Sequence, residues 1–115
     1  MSEIETPAVL VERDRLVRNI EWAQRLADRR GVALRPHVKT HKCLEIARMQ
    51  LERGAVGLTA AKVDEALVFI EAGVPSVTVA YPILDERKVR RLLAAAQRHA
   101  TDLRVVVDSS EGAQL

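Results

Sequence analysis

The sequence predicts an α/β fold built of parallel βα units, and three observations predict it. Short apolar, β-branched runs alternate with longer patterns of helical period. The runs begin near residues 7, 32, 55, 76 and 103, roughly one βα unit apart. No hairpin signal separates them, so the strands must be parallel and joined by helical crossovers.

The elements follow in order. Pro7-Ala8-Val9-Leu10-Val11 reads as the first strand. Asp14 can cap a helix over about 15–30, with Leu16, Ile20, Ala23 and Ala27 on one face and Val17 and Leu26 widening it. Gly31 stands where a glycine ends a helix, and a second strand is expected over about 32–39. The second helix covers about 43–53, with Leu44, Ala47 and Leu51 inward and Gly54 at its end. A third strand is expected over about 55–60. The third helix covers about 62–72, with Val63, Ala66, Leu67 and Ile70 on one face and Gly73 after it. A fourth strand over about 76–80 leads to Asp85, which can cap a fourth helix reaching about residue 99 and carrying Val89, Leu92, Leu93 and Ala96. Leu103-Arg104-Val105-Val106-Val107 is the fifth strand, and Asp108-Ser109-Ser110 opens the start of a fifth helix.

Two architectures fit this order: a complete five-stranded doubly wound sheet, or the first half of a (β/α)8 barrel, which as a whole takes about 250 residues. The doubly wound form has the right size. Against it, Val11-Glu12-Arg13-Asp14 holds no glycine where a phosphate loop would follow the first strand. Glu111-Gly112-Ala113-Gln114-Leu115 stops where a fifth helix should be under way, as an interrupted barrel would.

Composition narrows the function classes. The chain has 115 residues, 48% of them apolar, which suits one ordinary domain with a real core and excludes wholesale disorder. No apolar run approaches the roughly 18 residues of a membrane span. Cys43 is the single cysteine, so no intrachain disulfide can form. The start of the chain lacks the basic-then-apolar layout of a signal peptide, and a cytoplasmic setting is expected. The sequence pI is about 9.0. Nucleic acid is nevertheless not expected as a partner. The 18 basic and 16 acidic residues are interspersed, and Trp22, Phe69 and Tyr81 are the only aromatics. Fourteen of the basic residues are Arg; the lysines are Lys39, Lys42, Lys62 and Lys88. In a chain that prefers Arg, a lysine points to chemistry that needs a removable proton.

The stretch Leu34-Arg35-Pro36-His37-Val38-Lys39-Thr40-His41-Lys42 carries that chemistry. On a strand, Leu34, Pro36 and Val38 share one face and Arg35, His37 and Lys39 the other, which in a barrel points inward. Three potential cations on a buried face are costly unless something anionic sits among them. Their repulsion and burial would depress the Lys39 pKa, making it a nucleophile toward an aldehyde. Pyridoxal 5′-phosphate is an anionic aldehyde that wants a lysine. The same residues can instead be a solvated cluster at a strand end, with Pro36 marking an edge.

A set of motifs in order extends this reading: Thr6-Pro7-Ala8, Arg35-Pro36-His37-Val38-Lys39-Thr40-His41-Lys42, Ala61-Lys62 followed by Glu65-Ala66, Ala72-Gly73-Val74, Ala80-Tyr81-Pro82 and Val107-Asp108-Ser109. Together they resemble the N-terminal barrel domain of the D-threonine aldolase and D-serine dehydratase group, fold-type III pyridoxal-phosphate enzymes related to alanine racemase. The resemblance covers nearly the whole chain. It implies the first half of a (β/α)8 barrel over residues 1–115. The remaining strands and a C-terminal β domain are absent from the chain. It also implies that Lys39 carries the cofactor as an internal aldimine, with Arg35, His37 and Tyr81 as cofactor contacts. A divalent metal is implied too, but its His/Cys or His/Asp ligands belong to the part not present. The expected substrate is a small D-amino acid, cleaved by an aldolase or dehydrated at its β-hydroxyl. A non-catalytic pyridoxal-phosphate carrier and an inactive truncated fragment are the alternatives.

Other side chains are ambiguous. His41 and Lys42 lie past the strand end, on a catalytic rim or in a solvated loop. Lys62 opens a helix, a poor place for a cation against the helix dipole, which favours a role on the rim unless Asp64 and Glu65 simply offset it. Tyr81 and Asp108 follow strand ends, where a site contact, a core cap or a helix cap would each fit. Cys43, His99 and Trp22 read as structural. Half a barrel leaves two unpaired strand edges and an open inner face, so a homo-oligomer or a companion segment is expected as partner.

Overall fold

Apolar stripes of helical period and glycines with left-handed backbone set most of this fold. The computed structural model describes residues 4–115; the first three residues of the N-terminal stretch lie outside it. The helices are α1 (Arg13–Arg29), α2 (Leu44–Glu52), α3 (Val63–Glu71), α4 (Glu86–His99) and the short α5 (Ser110–Gln114). The strands are β1 (Leu58–Ala60), β2 (Ser76–Val79) and β3 (Asp102–Val105). They form one parallel sheet in the order β1-β2-β3, with Thr59 level with Thr78, and Thr78 level with Arg104.

Helix ends follow local chemistry. Gly31 and Gly73 take φ of 64° and 81°, where any Cβ is strained, and each closes a helix. Asp85 caps α4: its Oδ1 accepts from Arg87 N at 2.9 Å and Lys88 N at 3.4 Å. The expected cap on α1 is corrected. Its N-cap is Glu12, with no side-chain bond, and Asp14 lies inside the first turn, where its charge suits the helix dipole. Ser109, not Asp108, caps α5, accepting from Gly112 N at 3.1 Å.

The core lies on one side of the sheet. Leu58, Ala60, Val77 and Val79 point to it, and α3 and α4 cover it with Val63, Ala66, Phe69, Ile70, Leu92 and Ala95, all buried. Parallel sheets are normally covered on both faces. Here the alternate residues Thr59, Ser76, Thr78 and Arg104 make the second face polar, as the inner wall of an unclosed barrel.

Two expected strands are corrected. The run at 7–11 forms no strand, and Val9 is 94% exposed. A β-run gains its backbone bonds only from a neighbour, and the described residues offer it none. The run at 32–39 is reduced to a single parallel bridge, His37 to Thr59. Val56 N donates to Leu34 O at 2.9 Å and Thr59 N to Pro36 O at 2.8 Å. Pro36 has no N–H to return, so the ladder cannot propagate through it. The chain then turns into a 3-10 helix at Val38–Thr40. β1, β2 and β3 are also shorter than or offset from the expected runs by one to three residues.

The molecule is correspondingly open. Its radius of gyration is 16.2 Å; a closed domain of this length would have about 13 Å. Its accessible surface is 8102 Å2; roughly 6,300 Å2 would be usual for this mass.

Candidate functional site

The segment after Pro36 is built as a turn anchored from below. Val38 is fully buried, and its carbonyl accepts from both His41 N at 3.2 Å and Lys42 N at 2.8 Å. His37 Nδ1 accepts the Lys39 N–H at 3.2 Å. The Lys39 side chain thus stands exposed on a short turn past the carboxyl end of the paired segment, the end where parallel α/β sheets bind ligands. It does not continue the face shared by Arg35 and His37, because the backbone leaves the strand geometry at Val38.

Lys42 closes the turn with a φ of 49°, in the left-handed region. Its Nζ pairs with Oε1 of Glu65, whose side chain is only 4% exposed. The other carboxylate oxygen of Glu65 accepts from Ala61 N at 2.6 Å. Burial by itself would raise the Glu65 carboxyl. The Ala61 N–H, the Lys42 ammonium and, farther off, the His37 charge outweigh it, and the group titrates below its ordinary value. The basic segment therefore finds an internal anion, supplied by α3.

His41 is half-buried beside this pair. Its Nδ1 accepts from Cys43 N at 3.1 Å. Its Nε2 and the Gln50 Oε1 are both buried with no hydrogen-bond partner among the described residues, although Gln50 lies near enough to favour the protonated ring. Burial outweighs that pull and holds the His41 pKa below the usual imidazole value. Cys43 Sγ donates to Glu45 Oε2 at 3.1 Å.

Arg35 goes elsewhere. Its Nη1 donates to Ser76 Oγ at 2.9 Å, and Ser76 Oγ donates to Asp102 Oδ2 at 2.9 Å. Arg104 Nη2 reaches the same oxygen at 2.9 Å. Ser76 and Asp102 begin β2 and β3, so this network lies at the amino end of the sheet, opposite Lys39. It needs a glycine at 57: a Cβ there would come within 2.2 Å of Arg35 Nη1 and 2.7 Å of Ser76 O.

Tyr81 follows β2 and is exposed. With Lys62, Asp64, Ile83 and Lys88 it lines a cleft between the loops after β1 and β2. The structure thus brings His37 and Lys39 together, puts Tyr81 on the neighbouring loop and sends Arg35 to the far end. From the sequence, Glu65 is a member of the Ala61-Lys62…Glu65-Ala66 motif and an offset to the Lys62 charge, with no site role of its own. A signal for more was present: Glu65 is the third residue of a helix whose N-cap, Lys62, cannot accept a hydrogen bond, so its carboxylate reaches back to a free N–H.

The arrangement fits an anionic aldehyde at its aldehyde end: the exposed Lys39 amine stands on the turn, with the neighbouring amine of Lys42 paired to Glu65. A metal does not fit, since no group of three His, Cys, Asp or Glu side chains gathers among the described residues. No helix there is long and apolar enough to cross a membrane.

Comparison with known proteins bears on the family and the fold. A D-threo-3-hydroxyaspartate dehydratase from Delftia sp. (strain HT23) is 38% identical over 111 residues, which is 96% of this chain and 29% of the relative. A D-threonine aldolase from Arthrobacter sp. is 38% identical over 92 residues, 80% of this chain and 24% of the relative. The crystal structure of D-threonine aldolase from Filomicrobium marinum superposes with a TM-score of 0.90 at 34% identity, covering 96% of this chain and 29% of that one. The chain therefore spans under a third of the length of these relatives, and its open sheet matches the N-terminal part of their fold. The family described as alanine racemase, N-terminal domain, matches residues 11–115, and the chain belongs to that family.

Proposed function

We propose that this chain is the lysine-bearing, pyridoxal-phosphate-binding front of a lyase acting on small D-configured 3-hydroxy amino acids. The relatives named above act, by their names, on D-threonine and D-threo-3-hydroxyaspartate. Both carry a hydroxyl on the carbon next to Cα, so cleavage of the Cα–Cβ bond and loss of that hydroxyl are the two outcomes open to one front end. The bound cofactor supplies an electron sink for charge developing at Cα.

In this reading Lys39 attaches the cofactor's aldehyde. His37, whose Nδ1 holds the Lys39 N–H, and Tyr81, on the next loop, contact it at the rim. Arg35 adds positive charge to the inner face from its seat on Ser76. The metal belongs to other parts of such a protein, and the location proposed is cytoplasmic. The open edges would be met by a second copy or a companion segment.

The observation that carries the proposal is the position of Lys39, exposed on a turn at the carboxyl end of the sheet while Lys42 is tied to Glu65. Titrating the 115-residue chain with pyridoxal phosphate should produce the near-visible absorbance of a lysine adduct. Lys39→Arg should remove it, since a guanidinium keeps the charge but cannot attach the aldehyde. Lys62→Met should retain it. An unchanged band in Lys39→Arg would defeat the proposal.

A further inference from the structure

We infer that Glu65 and Lys42 are a positioning pair for Lys39: their ion pair fixes the turn from which the Lys39 amine meets an aldehyde. The inference rests on the role of Lys39 proposed above.

Lys39 has no anchor of its own beyond its backbone. Its N–H is held by His37, and its side chain is exposed without an ion pair among the described residues. Where its amine stands therefore depends on the turn. That turn has two fixed ends. At one, Val38 is sunk in the core and its carbonyl collects the N–H groups of His41 and Lys42. At the other, Lys42 adopts a left-handed φ of 49°. This conformation disfavours an L-residue, so something must hold it. The Lys42 N–H bond to Val38 O does so at the backbone, and the side chain does so at its far end. It spans 23 residues of sequence to reach Glu65, which is itself immobilised by burial and by the Ala61 N–H. Glu65 thus ties the lysine turn to the start of α3, one strand away.

The pair has a second consequence. Lys42 is the competing amine on the same turn, and its engagement with Glu65 leaves Lys39 the unpaired amine of that turn among the described residues.

Timed borohydride quenching of the chain with pyridoxal phosphate, followed by peptide mapping, tests this. Wild type should be labelled on Lys39. Lys42→Met and Glu65→Gln should label Lys39 about tenfold more slowly, the scale of coupling between residues in direct contact. Glu65→Gln should also divert label to the released Lys42. Lys42→Arg, which keeps the pair, should restore the rate to within about twofold. Without cofactor, the Lys42 amide should exchange faster in Lys42→Met and Glu65→Gln, while amides of α4 stay protected. The exchange readout separates a loosened turn from a loosened protein. Wild-type label on Lys39 with undiminished rates and unchanged exchange in Lys42→Met overturns this inference alone. Wild-type label away from Lys39 overturns the functional reading and this inference with it.

Discussion

The Glu65 carboxylate is the residue whose environment has the widest consequences. It is buried, yet the Ala61 N–H and Lys42 ammonium keep it ionised, with His37 and His41 as the other titratable neighbours that feel it. Its folded pKa is depressed. It therefore stabilises the fold above the ordinary carboxyl range, and that contribution is lost as pH falls through the folded value. Glu65→Gln should cost about 1–3 kcal/mol at neutral pH, the usual cost of stranding a hydrogen-bonded polar group. Urea midpoints of the two proteins should converge as the pH falls below the ordinary glutamate value; a gap that stays constant would contradict the account. His41 works through burial, which lowers its pKa. Below the ordinary imidazole value the unfolded chain takes up the proton first, so stability declines there as pH falls. His41→Gln should remove that component from the pH profile. Neither effect was legible in the sequence: the Glu65–Lys42 contact joins residues 23 apart, and only the packing of the turn on α3 brings them together.

At the scale of elements, helices were legible and strands less so. The stops at Gly31 and Gly73 and the Asp85 cap act within a few residues of themselves, so pattern alone locates them. A strand has no such self-sufficiency. The run at 7–11 has the composition of a strand but no ladder, and Pro36 breaks the one beside β1 despite its flanking apolar residues. The open inner face was legible from the half-barrel order of elements, and the structure lines it with Thr59, Thr78 and Arg104, whereas the sequence pointed to Arg35, His37 and Lys39. The end of α4 carries a further prediction. Ala100 closes it with a φ of 53°, where glycine is at ease. Ala100→Gly should raise stability by about 0.5–1 kcal/mol, measured as a higher melting temperature. Phe69, almost wholly buried between α3 and the sheet, should lose about 3–5 kcal/mol on truncation to Ala.

The whole molecule is a sheet covered on one side. Its excess surface and large radius of gyration come from the exposed run at 7–11, the polar inner face and the β3 edge, where Val105, Val106 and Val107 stand exposed. Edges of this kind seek partners. Sedimentation of the chain over a range of concentrations should show self-association, and Val106→Lys on that edge should weaken it; a monomer at every concentration would contradict the expectation. Beside this open architecture, the chemistry claimed for the chain is confined to one turn. The most direct measurement of that claim is borohydride reduction of the chain with substoichiometric pyridoxal phosphate, read by mass spectrometry of its peptides. The account predicts a single reduced adduct on Lys39, absent in Lys39→Arg. An adduct on Lys62 or Lys88 in its place would contradict it.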